Sequence, residues 1–593
     1  MPTLLLPAFA GNKVFVNNGC QFIDNAMHLT IGVTGHRDLL AQEVPALKDI
    51  VRGFFLQLRQ DFPDLDLQLI TPLAEGSDQL VADVALELGI ELIVPMPMAQ
   101  AEYEKDFSSP VAVEVFRSML KTAKVICLST GPGSDRVPGS IAERKRLYAR
   151  MGVFISNHSQ ILLALWDGKK QGTIGGTSGV VNYHLTAVMP GFSVSEESPN
   201  LLADNENDLA YHIACSRDRP DGRPTKGLEP LQTAWVSAHF GRAAGNNMPQ
   251  EYAIMLHRLQ DFGRDKERYS ATIESQGSDF LNNTKGLDKP AGIRAISKQY
   301  RAADWLAIHF QKRVSSGLIA THSLAVLMGL AFILYSEFDG LEILVWVFLL
   351  AFLAGFVLFK IGERRQWHRK YLDYRALAEG LRVQLYWSLA GVVDVHSTEF
   401  AYDNFLQKQD VDLGWIRHVM RNASLLRSGN EDPPKEWVDW VIEQWVGTGT
   451  GAGGGGQLAY YRNKEVEKSD RFRRTTLLGM LSLWIGILIA VVLVTMGSTM
   501  IELQRQVLLV FMGIFPLIAG IRDAYSHKKA EKELIKQYRF MHGVFANAKR
   551  LLDGSDDIKF RRRVLRALGN AALEEDAEWI LMHRERPLEH SGL

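Results

Sequence analysis

The sequence has few cysteines and no excess of charge of either sign. Its 593 residues include 3 cysteines, Cys20, Cys127 and Cys215, and none belongs to a CxxC pair. This spacing argues against a disulfide framework or a structural zinc site and is typical of a reducing compartment. The 66 basic and 67 acidic residues give a formal net charge of −1. Because a general nucleic-acid-binding protein needs a positive field, we expect no nucleic-acid partner.

The first residues, MPTLLLPAFAG, lack the basic segment that opens a secretory signal peptide. We therefore expect no cleaved leader. The length corresponds to roughly four domain-sized units, more than a single core serves. The apolar residues are concentrated in the second half of the chain, so the two halves are expected to differ in class.

Charged residues are absent from several long apolar stretches in that second half. Residues 316–335 contain no Asp, Glu, Lys or Arg, and the apolar stretch 343–361 follows after a short turn. The pattern recurs at 475–496 and 507–521. About 20 apolar helical residues cross the ~30 Å hydrocarbon core of a bilayer. The sequence therefore predicts two transmembrane hairpins, with a buried core helix as the alternative for 507–521.

Basic residues flank the outer ends of both hairpins, whereas acidic residues predominate in the turns. The positive-inside rule places such flanks in the cytoplasm. We expect a multi-pass protein of the cell inner membrane with its N-terminal domain, C-terminus and inter-hairpin region in the cytoplasm. The flanking bases are Lys312, Arg313, Arg364, Arg365, Arg369, Lys370, Arg471, Arg473, Arg474, Arg522, Lys528 and Lys529. The turns carry Glu337, Asp339, Glu342, Glu502 and a single base, Arg505.

One ionisable side chain, His322, lies inside the first predicted span. An ionisable group within a membrane indicates a functional site by default. A neutral histidine bonded to a neighbouring helix accounts for it equally well, and both interpretations stay open here.

Each hairpin precedes a charged helical stretch, which suggests a duplicated unit. The stretch after the first hairpin is KYLDYRALAEGLRVQLYWSLAG (370–391), with leucines at helical spacing. The glycine-rich tract VGTGTGAGGGGQ (446–457) has the composition of a flexible linker. The predicted units are 313–445 and 458–593, on either side of this linker.

These units resemble the SLATT family, two-helix membrane domains that accompany nucleotide-sensing modules in bacterial conflict systems. The resemblance rests on a hairpin followed by the YRALAEGLRVQ helix and on the ending EEDAEWILMHRERPLE (574–589). The first unit keeps the helix, with VDWVIEQWVG (438–447) as a diverged ending, and the second keeps the ending without the LAEGLR wording. The resemblance implies a membrane effector.

Strands alternate with helices in the first half of the chain. The predicted strands lie in HLTIGVTG (28–35), LDLQLI (65–70), ELIVPMPM (91–98), AKVICLST (123–130) and SQILLALWDG (159–168). This order predicts a Rossmann-like parallel sheet domain over 1–230, followed by a helical connector over 231–312. The whole chain is thus predicted as α/β plus all-α membrane. Ligands of such sheets bind at the carboxyl ends of the strands.

Three glycine-containing turns follow predicted strands and form the candidate ligand site. Glycine lets the backbone approach a ligand, arginine pairs with phosphate, and a helix start favours an anion. Plain chain reversal, an N-cap role for Ser77 and Asp78, and solvated lysines at Lys169 and Lys170 are the alternatives. The candidate ligand-binding residues are Thr34, Gly35, His36, Arg37, Glu75, Gly76, Ser77, Asp78, Asp167, Gly175, Gly176, Thr177, Ser178 and Gly179.

Residues 28–185 resemble the SLOG superfamily, Rossmann-like modules related to cytokinin-activating phosphoribohydrolases, DNA-processing protein A and the front region of TRPM channels. The resemblance implies a nucleotide or nucleotide derivative as ligand. The hydrolases carry a PGGxGTxxE motif whose glutamate serves the glycosidic chemistry, whereas here IGGTSGVVN (174–182) puts Asn182 in that place. An amide cannot act as acid or base, so the departure favours binding over hydrolysis.

We expect a homo-oligomeric membrane effector in which a cytosolic nucleotide sensor controls a pore or channel-like bundle, in bacterial defence. No resident cofactor or metal is expected. One alternative is a membrane-anchored nucleoside-phosphate hydrolase in which Glu75, Asp78 or Asp167 supplies the acid or base. A second alternative is a scaffold whose α/β domain binds another protein.

Overall fold

Eight strands form one sheet in the first part of the chain, as alternation of strands and helices predicts. The computed structural model describes residues 27–128, 140–170, 174–192, 209–244, 247–278, 281, 291–392, 405, 411–425, 433–447 and 456–584. The strands are β1 (His28–Gly35), β2 (Asp66–Ile70), β3 (Glu91–Met96), β4 (Lys124–Cys127), β5 (Ile161–Trp166), β6 (Ala210–Ala214), β7 (Thr233–Ser237) and β8 (Gly241–Ala244).

α-Helices follow most of the strands. They are α1 (Val44–Asp61), α2 (Ser77–Glu87), α3 (Gln100–Tyr103), α4 (Pro110–Leu120), α5 (Ile141–His158), α6 (Thr177–Thr186), α7 (Gln250–Arg268), α8 (Ser270–Gln276), α9 (Ala291–Glu337), α10 (Ile343–Arg365), α11 (Trp367–Ala390), α12 (Gly414–Ser424), α13 (Lys435–Val441), α14 (Gln457–Met496), α15 (Glu502–Lys528), α16 (Glu531–Asp553) and α17 (Ile558–Arg584).

The chain divides into two units, which are described separately. The sheet unit comprises Met1–Tyr269, Pro290–Ala295 and Asp394–Glu431. The helical unit comprises the rest, Ser270–Lys289, Ile296–Val393 and Asp432–Leu593.

The sheet has the order β4-β3-β2-β1-β5-β6-β7-β8, and every pair from β4 to β6 is parallel. This confirms the predicted Rossmann-like α/β fold. Strand β1 lies between β2 and β5: the chain passes outward from β1 through β2 and β3 to β4, and then crosses back to β5 on the other side of β1. Such a reversal opens a crevice at the carboxyl ends of the two central strands. The cavity described below lies there.

The central strands are apolar along their length because helices cover both faces of the sheet. Leu29, Ile31 and Leu163 are fully buried. At Gly32 a Cβ atom would lie 2.2 Å from the Ser159 Oγ, so only glycine lets α5 end this close to β1.

The sheet unit includes residues beyond position 230, where the predicted Rossmann-like domain ends. That domain boundary stays a prediction. Strands β7 and β8 add an antiparallel edge to the sheet. Helix α12 belongs to the same unit, and its Trp415 packs on Phe262 of α7 with ring centroids 5.5 Å apart. A segment distant in sequence therefore completes this core.

Among the described residues, four helices of the helical unit are long and apolar enough to cross a membrane, which matches the two predicted hairpins. They are α9, α10, α14 and α15, and little of their apolar surface is buried within the structure. Helix α15 has 27 residues, so the short stretch 507–521 is part of a longer element. At 1.5 Å per residue this helix is about 40 Å long, enough for a bilayer. The buried-core alternative for 507–521 is wrong.

Small residues bring the third and fourth of these helices together. The Ser482 hydroxyl of α14 donates to the Phe515 carbonyl of α15 at 2.8 Å. A Cβ on Gly486 would lie 3.1 Å from Pro516 Cδ, and one on Gly513 would lie 3.0 Å from Ile333 Cδ1 of α9. Close backbone approach of this kind is the usual basis of helix association in membranes.

The hydrogen bond of His322 stays within its own helix, α9, whereas its contact with a neighbouring helix is between aromatic rings. Its Nδ1 lies 2.8 Å from the Leu318 carbonyl of its own helix. Its ring meets the Tyr525 ring of α15 edge-on, with centroids 5.3 Å apart. The histidine thus joins two helices of the bundle.

The LAEGLR helix, α11, packs against α17, which carries the EDAEWILMHR sequence. The Trp387 indole donates to the Leu565 carbonyl at 3.0 Å, and a Cβ on Gly569 would lie 2.3 Å from the Trp387 ring. The rings of Tyr371 and Trp579 are 5.8 Å apart. The two segments that carry the SLATT resemblance therefore share one interface. Most of the glycine-rich tract lies outside the described residues.

Candidate ligand-binding site

A cavity of about 450 Å³ lies at the carboxyl ends of β1 and β5. Its size falls in the range of small-molecule sites, roughly 300–1,000 Å³. All three predicted turns contribute to its wall. The lining residues are Val33, Thr34, Gly35, His36, Arg37, Asp38, Pro72, Ala74, Asp78, Tyr148, Met151, Gly152, Ile155, Trp166, Asp167, Lys169, Gly175, Gly176, Thr177, Ser178, Val180 and Arg217.

The first and second turns are locked together by backbone contacts. The Ser77 hydroxyl and amide both donate to the His36 carbonyl, at 2.8 and 3.0 Å. A Cβ on Gly35 would lie 2.3 Å from Ser77 Cβ, and Gly76 has a φ of +89° against the Arg37 backbone. Ser77 is fully buried and does not line the cavity. Its role is to position the first turn.

Glu75 also faces away from the cavity. Its carboxylate accepts hydrogen bonds from the Ser108 amide and hydroxyl, at 2.9 and 2.5 Å. Glu75, Gly76 and Ser77 are absent from the cavity wall, so Asp78 is the one predicted residue of the second turn that reaches it.

The third turn presents the start of α6 to the cavity. Gly175 has a φ of +80°, and a Cβ there would lie 2.7 Å from the Ala149 amide nitrogen. The Thr177 hydroxyl donates to the Gly35 carbonyl at 2.8 Å, which ties this turn to the first. The N-cap residue of α6 is Gly176, which has no side chain to cap the helix. The amides of its first turn therefore offer donors and a positive dipole end, although Gly179 itself does not line the cavity.

The charged side chains of the wall are balanced in sign. Arg217 pairs with Asp38 at 2.8 Å, and Lys169 pairs with Asp221 at 3.2 Å. Arg37 is exposed, and its guanidinium donates to the Asp106 carbonyl at 3.2 Å. Arg37 also lies over the Tyr148 ring, 5.6 Å from its centroid, and among the described contacts it forms no ion pair with a carboxylate.

Two carboxyl groups of the wall are buried. Asp78 is 5% exposed, and burial raises its pKa to about 7 against the opposing effect of Arg37. Asp167 is 1% exposed, and its Oδ1 accepts from the Lys169 amide at 3.0 Å. The guanidinium of Arg219 lies 3.7 Å from the Asp167 Oδ2.

His36 is a buried, neutral side chain with a structural role. Burial lowers its pKa below 6.5, although Asp167 opposes the shift, so the ring is neutral at pH 7. Its Nε2 then accepts a hydrogen bond from the Asp167 amide at 3.1 Å, which assigns the ring proton to Nδ1. The nearby Asp167 Oδ1, 3.2 Å from Nε2, gains no hydrogen bond from this tautomer. His36 therefore ties the ends of β1 and β5 together.

Sequence reasoning missed Tyr148 and Arg217. Tyr148 lies in α5, its hydroxyl donates to the Asp106 carboxylate, and burial raises its pKa to about 12, so it stays a neutral donor. Arg217 follows β6, whose place beside β5 only the sheet topology reveals. Neither residue belongs to a local motif that could have indicated it.

Asn182, the residue in place of the hydrolase glutamate, is exposed and does not line the cavity. Its side-chain amide donates to the Val188 carbonyl at 2.9 Å, which closes the end of α6. Within the described ranges, no group of three or more His, Cys, Asp or Glu side chains is arranged to hold a metal ion.

The chain matches no protein-family model, no curated protein and no solved structure. Fold and cavity thus define its class: a Rossmann-like α/β unit with a small-molecule-sized cavity, joined in one chain to a helical unit with four candidate membrane spans.

Proposed function

We propose that the protein is a membrane effector whose sheet unit binds a nucleotide or nucleotide derivative. Binding would control a pore or channel-like bundle formed by the membrane helices of a homo-oligomer. The observation that carries the proposal is the convergence of the three turns on one cavity, in a chain that also holds four candidate spans.

The anion-binding part of the proposal rests on α6 and Arg37. The uncapped start of α6 reaches the cavity through Gly176, Thr177 and Ser178. A helix N-terminus binds phosphate through its free amides and its dipole. Arg37 of the first turn supplies a charge-assisted partner. Together these groups suit a phosphate ester.

The resemblances to SLOG and SLATT domains support a role in bacterial defence and an inner-membrane location with the sheet unit in the cytoplasm. Four spans per chain are few for a wide pore, so the proposal includes oligomerisation. A bundle with an apolar lining gates through a hydrophobic constriction.

Asp78 favours a second candidate, a membrane-anchored nucleoside-phosphate hydrolase. A buried carboxyl whose pKa is raised to about 7 is suited to general acid catalysis near neutral pH. The exposed position of Asn182 weighs against the hydrolase chemistry of the resembling family.

One experiment separates the candidates. The full chain in detergent micelles is screened by thermal shift with nucleoside mono-, di- and cyclic phosphates, and each stabilising ligand is then incubated with the protein and analysed for products. A sensor raises the melting temperature and leaves the ligand intact, because binding to the folded state alone stabilises it. Turnover supports the hydrolase, and the absence of any shift refutes both.

A further inference from the structure

The cavity holds two buried carboxylate oxygens that no described group satisfies. Asp78 Oδ1 and Asp167 Oδ2 accept no hydrogen bond within the described part of the chain. Both side chains line the cavity, and both are more than nine-tenths buried. Buried acceptors of this kind are normally paired, since leaving one unpaired is unfavourable.

Neighbouring bases offset these charges without supplying the missing hydrogen bonds. The guanidinium groups of Arg219 and Arg217 lie 3.7 and 4.0 Å from Asp167 Oδ2, beyond hydrogen-bond length. Arg37 acts on Asp78 through its charge. Among the described residues, the two oxygens therefore lack the hydrogen-bond donor that a bound ligand could supply.

A phosphate group cannot fill this role. A phosphate oxygen is an acceptor with negative charge, and it would repel a carboxylate at the same point. The start of α6 and Arg37 already provide the donors that a phosphate requires. The cavity wall therefore combines groups suited to an anion, at the start of α6 and Arg37, with acceptors suited to hydroxyl or amino donors, at Asp78 and Asp167.

This inference rests on the proposed function. We propose that Asp78 and Asp167 accept hydrogen bonds from hydroxyl or amino groups of the ligand. The site thereby selects a phosphate ester of a donor-rich organic group, such as a ribonucleotide, over inorganic phosphate. The two carboxylates are specificity-determining residues. Ribose hydroxyls and exocyclic amino groups of a base are the two sources of such donors.

Isothermal titration calorimetry of the full chain in detergent micelles tests this assignment. The probes are adenosine 5′-monophosphate, its 2′,3′-dideoxy analogue, inosine 5′-monophosphate, ribose 5-phosphate and inorganic phosphate. Loss of a hydrogen bond to a charged group weakens binding about tenfold or more. We expect that loss for the dideoxy analogue if hydroxyls are the donors, and for the inosine nucleotide if the amino group is. Inorganic phosphate should bind weakest.

The variants Asp78→Asn and Asp167→Asn complete a cycle with the ligand change. Each variant should weaken the preferred nucleotide about tenfold and should barely affect the analogue that lacks the donor, because the paired group is already missing. Asp83→Asn is the matched control, since Asp83 lies on the same helix as Asp78 and pairs with Lys48 outside the cavity. The comparison of analogues on the unmodified protein remains decisive if a variant fails to fold.

The outcomes distinguish this inference from the proposed function. Equal affinity for every nucleotide, unchanged by either variant, overturns the donor assignment and leaves nucleotide binding intact. Binding of ribose 5-phosphate without any nucleotide supports the donor assignment and refutes a nucleotide sensor. No binding of any probe overturns both.

Discussion

The two units of this chain treat polar and apolar groups in opposite ways. The sheet unit buries its apolar residues and leaves two buried carboxylates facing a cavity. The helical unit exposes Trp346, Trp484 and Phe332 on helices that could span a membrane. Exposed aromatic residues in such numbers suit a lipid environment, and unpaired buried acceptors suit a ligand. The two units thus differ in what they leave unpaired among the described residues: polar acceptors in the sheet unit and apolar surface in the helical unit.

The largest expected effect is on the sheet unit, from Gly175→Val. The position has a φ of +80°, and a Cβ would lie 2.7 Å from the Ala149 amide nitrogen, so the third turn must move. We expect nucleotide affinity to fall at least a hundredfold in calorimetry. Gly191→Val is the matched control, because Gly191 has a similar φ of +81° with nothing within 4 Å of the added Cβ. Equal losses at both positions would show that backbone strain, not the cavity wall, is responsible.

Asp78→Asn sharpens the comparison through pH. The pKa of Asp78 is raised from 3.8 to about 7 in the folded state, so the folded protein binds more protons between these values and its stability falls as pH rises through them. Asparagine does not ionise, so the variant does not lose stability in this way. As the pH rises from 4 to above 7, the stability of the variant relative to the parent should therefore increase by up to about 4 kcal/mol.

Thermal melts of the full chain across this pH range measure that gain, with Asp83→Asn as the control because its partly exposed carboxylate pairs with Lys48. A gain that does not depend on pH would contradict burial of an ionisable Asp78.

Arg37→Ala should weaken nucleotide binding by about tenfold, since a charge-assisted bond to phosphate is lost from an exposed side chain. The melting temperature of the free protein should fall modestly, because Arg37 also offsets the charge of the buried Asp78. Calorimetric titration measures the loss, and Arg52→Ala, which removes a surface base paired with Glu87, serves as the control. Unchanged affinity would remove Arg37 from the site.

The smallest effect concerns the helical unit. Ser482→Ala removes the hydroxyl that bonds the Phe515 carbonyl, and hydrogen bonds between membrane helices contribute about 0.6 kcal/mol on average. Denaturant unfolding in mixed micelles measures the loss. Thr495→Val is the control on the same helix, because that hydroxyl bonds only carbonyls of its own helix among the described contacts. Equal losses would show that the Ser482 bond does not join α14 to α15.

The sequence predicts the sheet unit's central strands and the four spans because both follow local patterns. The apolar stretches around Leu163 and at 475–496 can be recognised from their length and composition alone. The predicted turns also meet where parallel strands end, as the cavity wall shows for Arg37, Asp78 and Thr177. These features depend on neighbouring residues and on a general rule of sheet topology.

Other features depend on contacts between residues far apart in the chain, so local sequence patterns do not predict them. Glu75 and Ser77 belong to a predicted turn, but Glu75 hydrogen-bonds Ser108 and Ser77 hydrogen-bonds the His36 carbonyl. Arg217 reaches the cavity only because β6 lies beside β5. The addition of α12 to the sheet unit joins segments far apart in the chain, which no local pattern can reveal.

Dye release from liposomes that contain the full chain tests the link between the units most directly. A nucleotide that stabilises the protein should change the rate of release, and Arg37→Ala should raise the concentration required by the same factor as it weakens binding, because linkage ties the two equilibria. Release that ignores the nucleotide, or a response that Arg37→Ala leaves unshifted while binding weakens, would contradict control of the membrane helices by the sheet unit.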